Sequence, residues 1–536
     1  MHYPDQMNAA FYLVDENARL RPDRVAIYYN DIKITYGDLA DKVNRFGNAL
    51  KGLGVGKGDR FVCRMPNRPE AAVVFLAGLK IGAVPIPSFP FLREPELEHV
   101  INFSDAVGLV SCAPSLDAVK DIRRKAGTLG FIISVGDHES ADATYDALVD
   151  SASCLLEAAP TRKDDLAFLC FSSGTTGRPK GLPHKHESCL ITADITIPHG
   201  LGGLKKGDVL FTTSPFGFSF GLCTLIFYPF RFGSSVVYAD AKLEAEHVFQ
   251  VIEKYRVTHL STVGTMYQKM LEVPGAGEKY DLRDLRILKG GAMEIPVQLQ
   301  KRWKSKFGHD ILPGFGMQEI IGSVISCTST KLRYGSIGET QPGCQARVLD
   351  DNDRPLPAGQ KGRLSIKVPC VIPYYWKDAQ LTGEYLSEDG WFKTDDIVYR
   401  DPDGFFYYVG RSDNVIVSAG WTIAPAEIEN ILTTHPVISE AAVVSVSDAG
   451  KGKIPVAAVV LKKGVKAAES LTAEIQKFVR ERLVSYKCPR EIYYVESLPK
   501  TPTGKVKIKE VQQVVDQNRA LAPDGREFTA MSEISG

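Results

Sequence analysis

One stretch constrains this chain more than any other: Phe171, Ser172, Ser173, Gly174, Thr175, Thr176, Gly177, Arg178, Pro179, Lys180 and Gly181 in unbroken succession. Its glycines let the backbone take conformations closed to other residues and approach a ligand closely. Its serines and threonines supply hydroxyl donors, and Arg178 and Lys180 supply the positive charge that a polyphosphate needs. A loop of this make-up can wrap a phosphate chain with backbone N–H groups, hydroxyls and an ammonium. The run from Asp165 to Cys170 before it reads as a short buried strand, so the loop is expected to leave a strand end. The pattern differs from the P-loop G-x-x-x-x-G-K-S/T, because Gly181 rather than a hydroxyl residue follows Lys180. A polar surface turn is the plainer alternative for the stretch.

The sequence around it alternates. Leu39, Val43, Phe46 and Leu50 stand at helical spacing, residues 60–65 read as a strand, 70–79 as a buried helix and 83–87 as a return to the sheet. The pattern resumes after the loop, with strands at 209–213, 235–238, 258–263 and 285–289 and a helix over 246–255. Such alternation predicts an α/β chain with a mostly parallel sheet. From about 325 to 410, short strands with Gly and Pro turns predict a small, mainly antiparallel β unit. Beyond Gly410 and Arg411 a compact α+β module is expected, with helices over 426–432 and 471–483 and strands over 441–446 and 456–461. The expected organisation is a large N-terminal domain of stacked α/β subdomains over 1–411, a small C-terminal domain over 412–516 and a polar tail over 517–536.

Composition narrows the partners. The formal net charge is zero, so neither nucleic acid nor an anionic membrane is the expected main partner. The N-terminus has no basic segment leading into an apolar core, and no window holds eighteen uncharged apolar residues. The ten cysteines are scattered without a C-x-x-C pair, which suits reduced thiols in a cytoplasm better than disulfides or a zinc site.

Further clusters punctuate the strands. Gly290, Gly291, Ala292 and Met293 follow one strand, either as a tight turn or as a surface for a planar ligand. Gly314, Phe315, Gly316, Met317, Gln318 and Glu319 follow another; Phe315 could stack on a base, and Glu319 is either a solvated residue or an oxygen ligand for a hard divalent cation. Asp395 and Asp396 offer carboxylates, and Asp396 could accept the hydroxyls of a ribose. Arg411, Asp413, then Ser418, Ala419, Gly420 and Trp421 follow an aromatic strand, and Lys505 sits on a late Gly-containing loop.

In this order, with the stretch 171–181, these clusters resemble the adenylate-forming superfamily: acyl- and aryl-CoA ligases, adenylation domains of peptide synthetases, and beetle luciferases. The resemblance runs from about residue 10 to about 510. It implies a two-step reaction in which a carboxylate attacks the α-phosphate of Mg-ATP, giving an acyl-adenylate and pyrophosphate, and a thiol such as that of CoA then takes the acyl group and releases AMP. It implies roles residue by residue. Ser172, Ser173, Gly174, Thr175, Thr176, Gly177 and Lys180 cover the β- and γ-phosphates. Gly291 and Ala292 wall the adenine, with Phe315 stacking and Gly316 beside it. Glu319 coordinates Mg2+. Asp396 binds ribose, with Arg411 its companion. Lys505 bridges the α-phosphate and the substrate carboxylate, and Asp413 is the hinge about which the small domain turns. Ser418, Ala419, Gly420 and Trp421 then enter for the CoA step.

Two departures from the family pattern stand out: Gln318 replaces the usual threonine and Asp395 the usual glycine, with Asp395 expected to stay solvated. Phe216, Phe218, Phe220, Gly264, Gly290 and Met293 match where relatives build the acid pocket. The phenylalanines favour a flat or apolar acid, as in benzoate-type CoA ligases, or are simply core. His184 and His186 line the site or belong to the core or surface. The expected activity is an ATP-dependent aromatic acid–CoA ligase, as a monomer or homodimer. The alternatives are an enzyme loading an acid onto a carrier-protein phosphopantetheine and a CoA ligase for an alicyclic or medium-chain acid.

Overall fold

The structure is a computed structural model and describes residues 3–521 apart from 120, 173–178, 201, 240–242, 292–294, 413, 415, 419–420, 449–451, 484 and 502–505. The chain divides into two compact units, Met1–Ala346 with Ile366–Lys393, and Arg347–Ser365 with Thr394–Gly536.

In the first unit, β1 (Val25–Tyr29) and β2 (Ile32–Thr35) form a hairpin that leads into a helix over Tyr36–Gly52. Thr35 caps that helix: its Oγ1 accepts from the Asp38 N–H at 3.1 Å, and an Asp38 carboxylate oxygen accepts from the Thr35 N–H at 3.0 Å. The helix buries the expected stripe of Leu39, Val43, Phe46 and Leu50. Next come β3 (Arg60–Arg64), β4 (Val84–Ser88), β5 (Gly108–Cys112), β6 (Phe131–Val135) and β7 (Ala143–Thr144), a parallel sheet in the order β4-β3-β5-β6-β7. The helix Pro69–Lys80 joins β3 to β4 and is buried nearly all round, as its unbroken apolar run requires.

After the two-stranded ribbon of β8 (Leu166–Ser172) and β9 (Lys180–Lys185), the chain builds β10 (Val209–Thr212), β11 (Ser235–Tyr238), β12 (His259–Thr262), β13 (Ile287–Gly290), β14 (Ile311–Met317), β15 (Gly322–Ser326) and β16 (Glu339–Thr340). With the first hairpin these make a nine-stranded sheet in the order β16-β15-β14-β13-β12-β10-β11-β1-β2. Strands β10 to β14 run parallel, with a helix over Ala245–Tyr255 in one crossover and one over Val297–Phe307 in another. Parallel sheets present ligands beyond the carboxyl ends of their strands; here that places Gly290, Gly291 and the segment after Phe315 on one edge.

The second unit has two sheets. β17 (Gln345–Leu349), β18 (Gly362–Lys367), β19 (Phe392–Arg400) and β20 (Phe406–Arg411) form one in that order. β21 (Ile416–Ser418), β22 (Trp421–Ile423), β23 (Ile438–Asp448), β24 (Gly452–Leu461) and β25 (Glu491–Tyr494) form the other. The expected strands 441–446 and 456–461 are the middle of β23 and the second half of β24, and they are apolar on both faces because both faces are covered. Val443, Ala457 and Val459 pack with Ile428, Leu432, Ile475 and Val479 of helices Pro425–Leu432 and Glu469–Arg480. Val444 and Val456 pack with Val511 and Val515 of a helix over Ile508–Leu521. That helix corrects the expected tail: residues 517–521 continue it, because Val511 and Val515, four apart, anchor its apolar face.

Candidate active site

The loop 171–181 joins two antiparallel strands, with Ser172 of β8 opposite Lys180 of β9. Ser173, Gly174, Thr175, Thr176 and Gly177 lie outside the described residues. Gly181 is a glycine because Trp376 crosses it: a β-carbon there would come within 2.6 Å of the tryptophan Cβ, and the Trp376 N–H donates to the Gly181 carbonyl at 2.9 Å. This crossing holds the segment after Pro373 against the hairpin. Lys180 Nζ then stands 5.5 Å from the ring centre of Tyr375 and 5.3 Å from that of Tyr385. Two aromatic faces hold the ammonium electrostatically, and no carboxylate pairs with it among the described residues. The Tyr375 hydroxyl donates to Glu319 Oε1 at 3.3 Å, and the Ile372 N–H to the Glu319 carbonyl at 2.8 Å. Lys180 and Glu319 are therefore brought together through Tyr375. No motif in the sequence singles out Tyr375 and Tyr385; the aromatic run Tyr374, Tyr375, Trp376 is the one signal that marks the first of them.

Glu319 follows β14 in a tight return to β15. A β-carbon on Gly316 would lie 1.9 Å from the Gly322 carbonyl oxygen, so only glycine fits there. Ile321 takes a left-handed backbone conformation, φ 34°, in which a β-branched residue is strained. Gln318 is buried, and its Oε1 has no hydrogen-bond partner among the described residues, so a polar amide end remains for a ligand or water. Among the described residues no group of three or more His, Cys, Asp or Glu could hold a metal by itself. His184 and His186 are core residues. His184 is stacked on Phe168 at 4.7 Å, and burial pushes its pKa down to about 3; His186 Nδ1 accepts from the Ala9 N–H at 3.1 Å.

A cavity of about 50 Å³ opens beside this turn. Phe218 and Phe220 line it, with the backbones of Gly290, Gly291 and Gly316 and the side chain of Lys289. Gly291 keeps it open, because a β-carbon there would lie 3.0 Å from the Phe220 ring. Phe216 does not line it: its ring is fully buried edge-on to Phe75 at 5.8 Å, and its N–H is tied to Asn67 Oδ1 at 2.7 Å. Gly264 opens the helix Gly264–Glu272 and is not in the lining, and Phe315 is on β14, also outside it. Ala292 and Met293 lie outside the described residues. Lys289, missed from the sequence because it closes a strand-like run, is buried here.

In the second unit Asp396 and Arg411 face each other across β19 and β20. Asp396 is 6% exposed; its Oδ1 accepts from the Tyr408 hydroxyl at 3.1 Å. Asp395 is not left to solvent as expected: Arg411 Nη2 donates to its Oδ2 at 2.7 Å, because the two strands bring the guanidinium within reach of the carboxylate one residue before its register partner Asp396. Ser418 is buried on β21, where its backbone pairs with Trp421. Asp413, Ala419, Gly420 and Lys505 lie outside the described residues.

A profile of the family described as "AMP-binding enzyme" matches residues 14–376, and one described as "AMP-binding enzyme C-terminal domain" matches residues 427–505. This chain belongs to the AMP-binding enzyme family. Among family relatives, a benzoate–CoA ligase of Thauera aromatica is 31% identical over 94% of this chain and 95% of its own. An acetyl-coenzyme A synthetase of Bacillus subtilis is also 31% identical, over 94% of this chain and 89% of its own. The solved structure of an anthranilate CoA ligase in complex with anthranoyl-AMP superposes with a TM-score of 0.92 at 28% identity, covering 97% of this chain and 99% of that one. The chain is thus an AMP-forming acyl/aryl-CoA synthetase, with ATP, CoA and a small carboxylic acid as its reactants. Among the described residues no helix is long and apolar enough to cross a membrane.

Proposed function

We propose that this synthetase activates a ring carboxylic acid of the benzoate or substituted-benzoate type and passes it to CoA. The observation that carries this is the shape of the cavity: two phenylalanine rings on one side, and glycine backbone that a single methyl would obstruct on the other. Flat apolar walls suit a planar ring. One water needs roughly 10–15 Å³ of such space, so about 50 Å³ is a small cavity that favours a compact acid over a long alkyl chain. Equal identity to benzoate and acetyl relatives leaves the choice of acid to this lining.

In the first step the acid carboxylate attacks the α-phosphorus of ATP, forming the acyl–phosphate bond as the bond to pyrophosphate breaks. The charge on the phosphate oxygens is what the protein must stabilise. Lys180, an ammonium without a carboxylate partner among the described residues, is suited to the β- and γ-phosphates beside the loop from Ser172 to Gly177. Glu319 offers a single carboxylate, and Mg2+ is commonly held by one or two carboxylates together with substrate phosphates, so this donor set fits a magnesium ion that arrives with ATP. Bound there, the metal would neutralise phosphate charge. The NH2 group of the Gln318 side-chain amide would donate to the α-phosphate.

Gly291 and Ala292 would wall the adenine with Phe315 stacked on it, and Asp396 would take the ribose hydroxyls, its companion Arg411 oriented by Asp395. Lys505 would bridge the α-phosphate and the carboxylate. In the second step the CoA thiol attacks the acyl carbon, its proton is lost to solvent and AMP leaves. Residues 412–516, turning about Asp413, would bring Ser418, Ala419, Gly420 and Trp421 to that step. The ten free cysteines support a reducing, cytoplasmic setting.

The test is CoA-dependent AMP formation across benzoate, substituted benzoates, arylacetates, cyclohexanecarboxylate and hexanoate. A ring acid should exceed hexanoate in kcat/KM by about tenfold or more. Hexanoate or acetate as the best substrate would overturn the aromatic assignment.

A further inference from the structure

Lys289 sits on β13, and it is 5% exposed. Its neighbour Leu288 points into the hydrophobic core, and the alternation of a strand sends Lys289 to the opposite face. There it lines the cavity, and among the described lining residues its side chain is the one that carries a charge. Gly314, also in the lining, makes room for it: a β-carbon at that position would lie 2.8 Å from the lysine Nζ.

An ammonium has three N–H donors. One goes to Ser326 Oγ, and the other two find no acceptor among the described residues. No carboxylate among the described residues pairs with it either. The titratable groups around it include Cys223, Cys327, Tyr228 and Tyr267, and burial pushes all four upward, so they stay neutral and supply no counter-charge, while Glu339, opposite Ser326 on β16, is paired with Lys331 at 2.9 Å. A buried cation is normally paired, because leaving it alone costs free energy. Here burial pushes the Lys289 pKa down to about 8, which still leaves the group protonated at neutral pH.

We propose that Lys289 is a specificity-determining residue that receives an anionic oxygen substituent on the far side of the substrate, a second carboxylate being the class that fits, so that the acid is a small ring dicarboxylate. This rests on the ring-acid reading of the cavity given above. The second carboxylate would supply the missing acceptors and the missing charge, while the first reacts with ATP.

The experiment compares CoA-dependent AMP formation from benzoate, phthalate, isophthalate, terephthalate and adipate, in the wild-type enzyme and in Lys289→Met. One ring dicarboxylate is expected to exceed benzoate in kcat/KM by about 10- to 100-fold, the worth of one buried charged hydrogen-bonded contact. Lys289→Met should abolish that ratio. A wild-type enzyme that turns over benzoate as well as every dicarboxylate overturns the Lys289 assignment and leaves the ring-acid reading standing. Adipate outrunning the ring acids, with the same dependence on Lys289, does the reverse. No turnover with any of these acids overturns both. Should Lys289→Met fail to fold, the wild-type KM decides. For the best dicarboxylate it should rise about tenfold between pH 7 and pH 9 as Lys289 loses its proton, while that for benzoate stays level. A level profile for both overturns the assignment.

Discussion

Replacing Lys180 with methionine separates what this side chain does for the fold from what it does for the reaction. In the structure the ammonium touches two tyrosine rings at 5.5 and 5.3 Å and pairs with no carboxylate among the described residues. Removing it therefore orphans no buried negative charge, which is what makes lost ion pairs expensive. The stability at stake is two cation–π contacts, each about 0.5–1 kcal/mol for a half-exposed group. Methionine keeps much of the apolar stem, so the melting temperature should fall by about 4 °C at most. Catalysis loses more. A preorganised donor aimed at developing charge is worth about 3–4 kcal/mol, or about 10²- to 10³-fold in kcat. The assay is AMP formation at saturating acid and CoA with ATP varied, alongside a thermal melt. Tyr375→Phe is the companion variant: it keeps the ring under the ammonium, removes the hydroxyl on Glu319, and should cost less than about tenfold. A Lys180→Met enzyme with kcat within about fivefold of wild type, or a melting temperature lower by about 10 °C, would refute the reasoning.

Lys505→Ala should cripple adenylation while largely sparing thioesterification of supplied acyl-adenylate; equal loss in both half-reactions would contradict a domain that turns between them. Gly291→Ala places a methyl 3.0 Å from the Phe220 ring and should raise KM for ring acids about tenfold, and an unchanged KM would show that the ring binds elsewhere. The buried histidines predict an acid-sensitive fold. Burial pushes His184 down to about 3 and His186 and His259 to about 4, so between the ordinary value near 6.5 and those values only the unfolded chain takes up protons. Stability is thus full above about pH 6.5 and falls with pH below it, by about 2 kcal/mol per histidine at pH 5. Melting temperatures from pH 7.5 to 5 should show this decline, and His184→Phe, which keeps the stack on Phe168, should lessen it by about a third.

The strands and helices legible in the sequence were those whose period decides them. Leu39 to Leu50 could only be an amphipathic helix, and the continuous apolar run of 441–446 could only be a strand covered on both faces. The loop 171–181 announced its strand end because glycines and hydroxyls directly follow an apolar run. Contacts set by register or by distant crossings were not legible. Asp395 reads as solvated until β19 pairs with β20 and brings Arg411 beside it. Tyr375 and Tyr385 lie about two hundred residues from Lys180 in sequence, and the Trp376 crossing at Gly181 brings them together. Phe216 and Phe218 look equivalent as letters, but the Asn67 bond turns Phe216 into the core. Lys289 reads as the polar end of a strand, since nothing in its neighbours along the chain says that Gly314 and Ser326 enclose it.

The central claim is that an acyl-adenylate joins the two half-reactions. The most direct measurement incubates the enzyme with ATP, Mg2+ and its best ring acid, with and without CoA, and identifies the products by mass spectrometry. Without CoA the account predicts enzyme-bound acyl-adenylate and pyrophosphate in equal amounts; with CoA it predicts acyl-CoA and AMP. Formation of ADP and phosphate, or acyl-CoA with no adenylate in single-turnover samples, would contradict it.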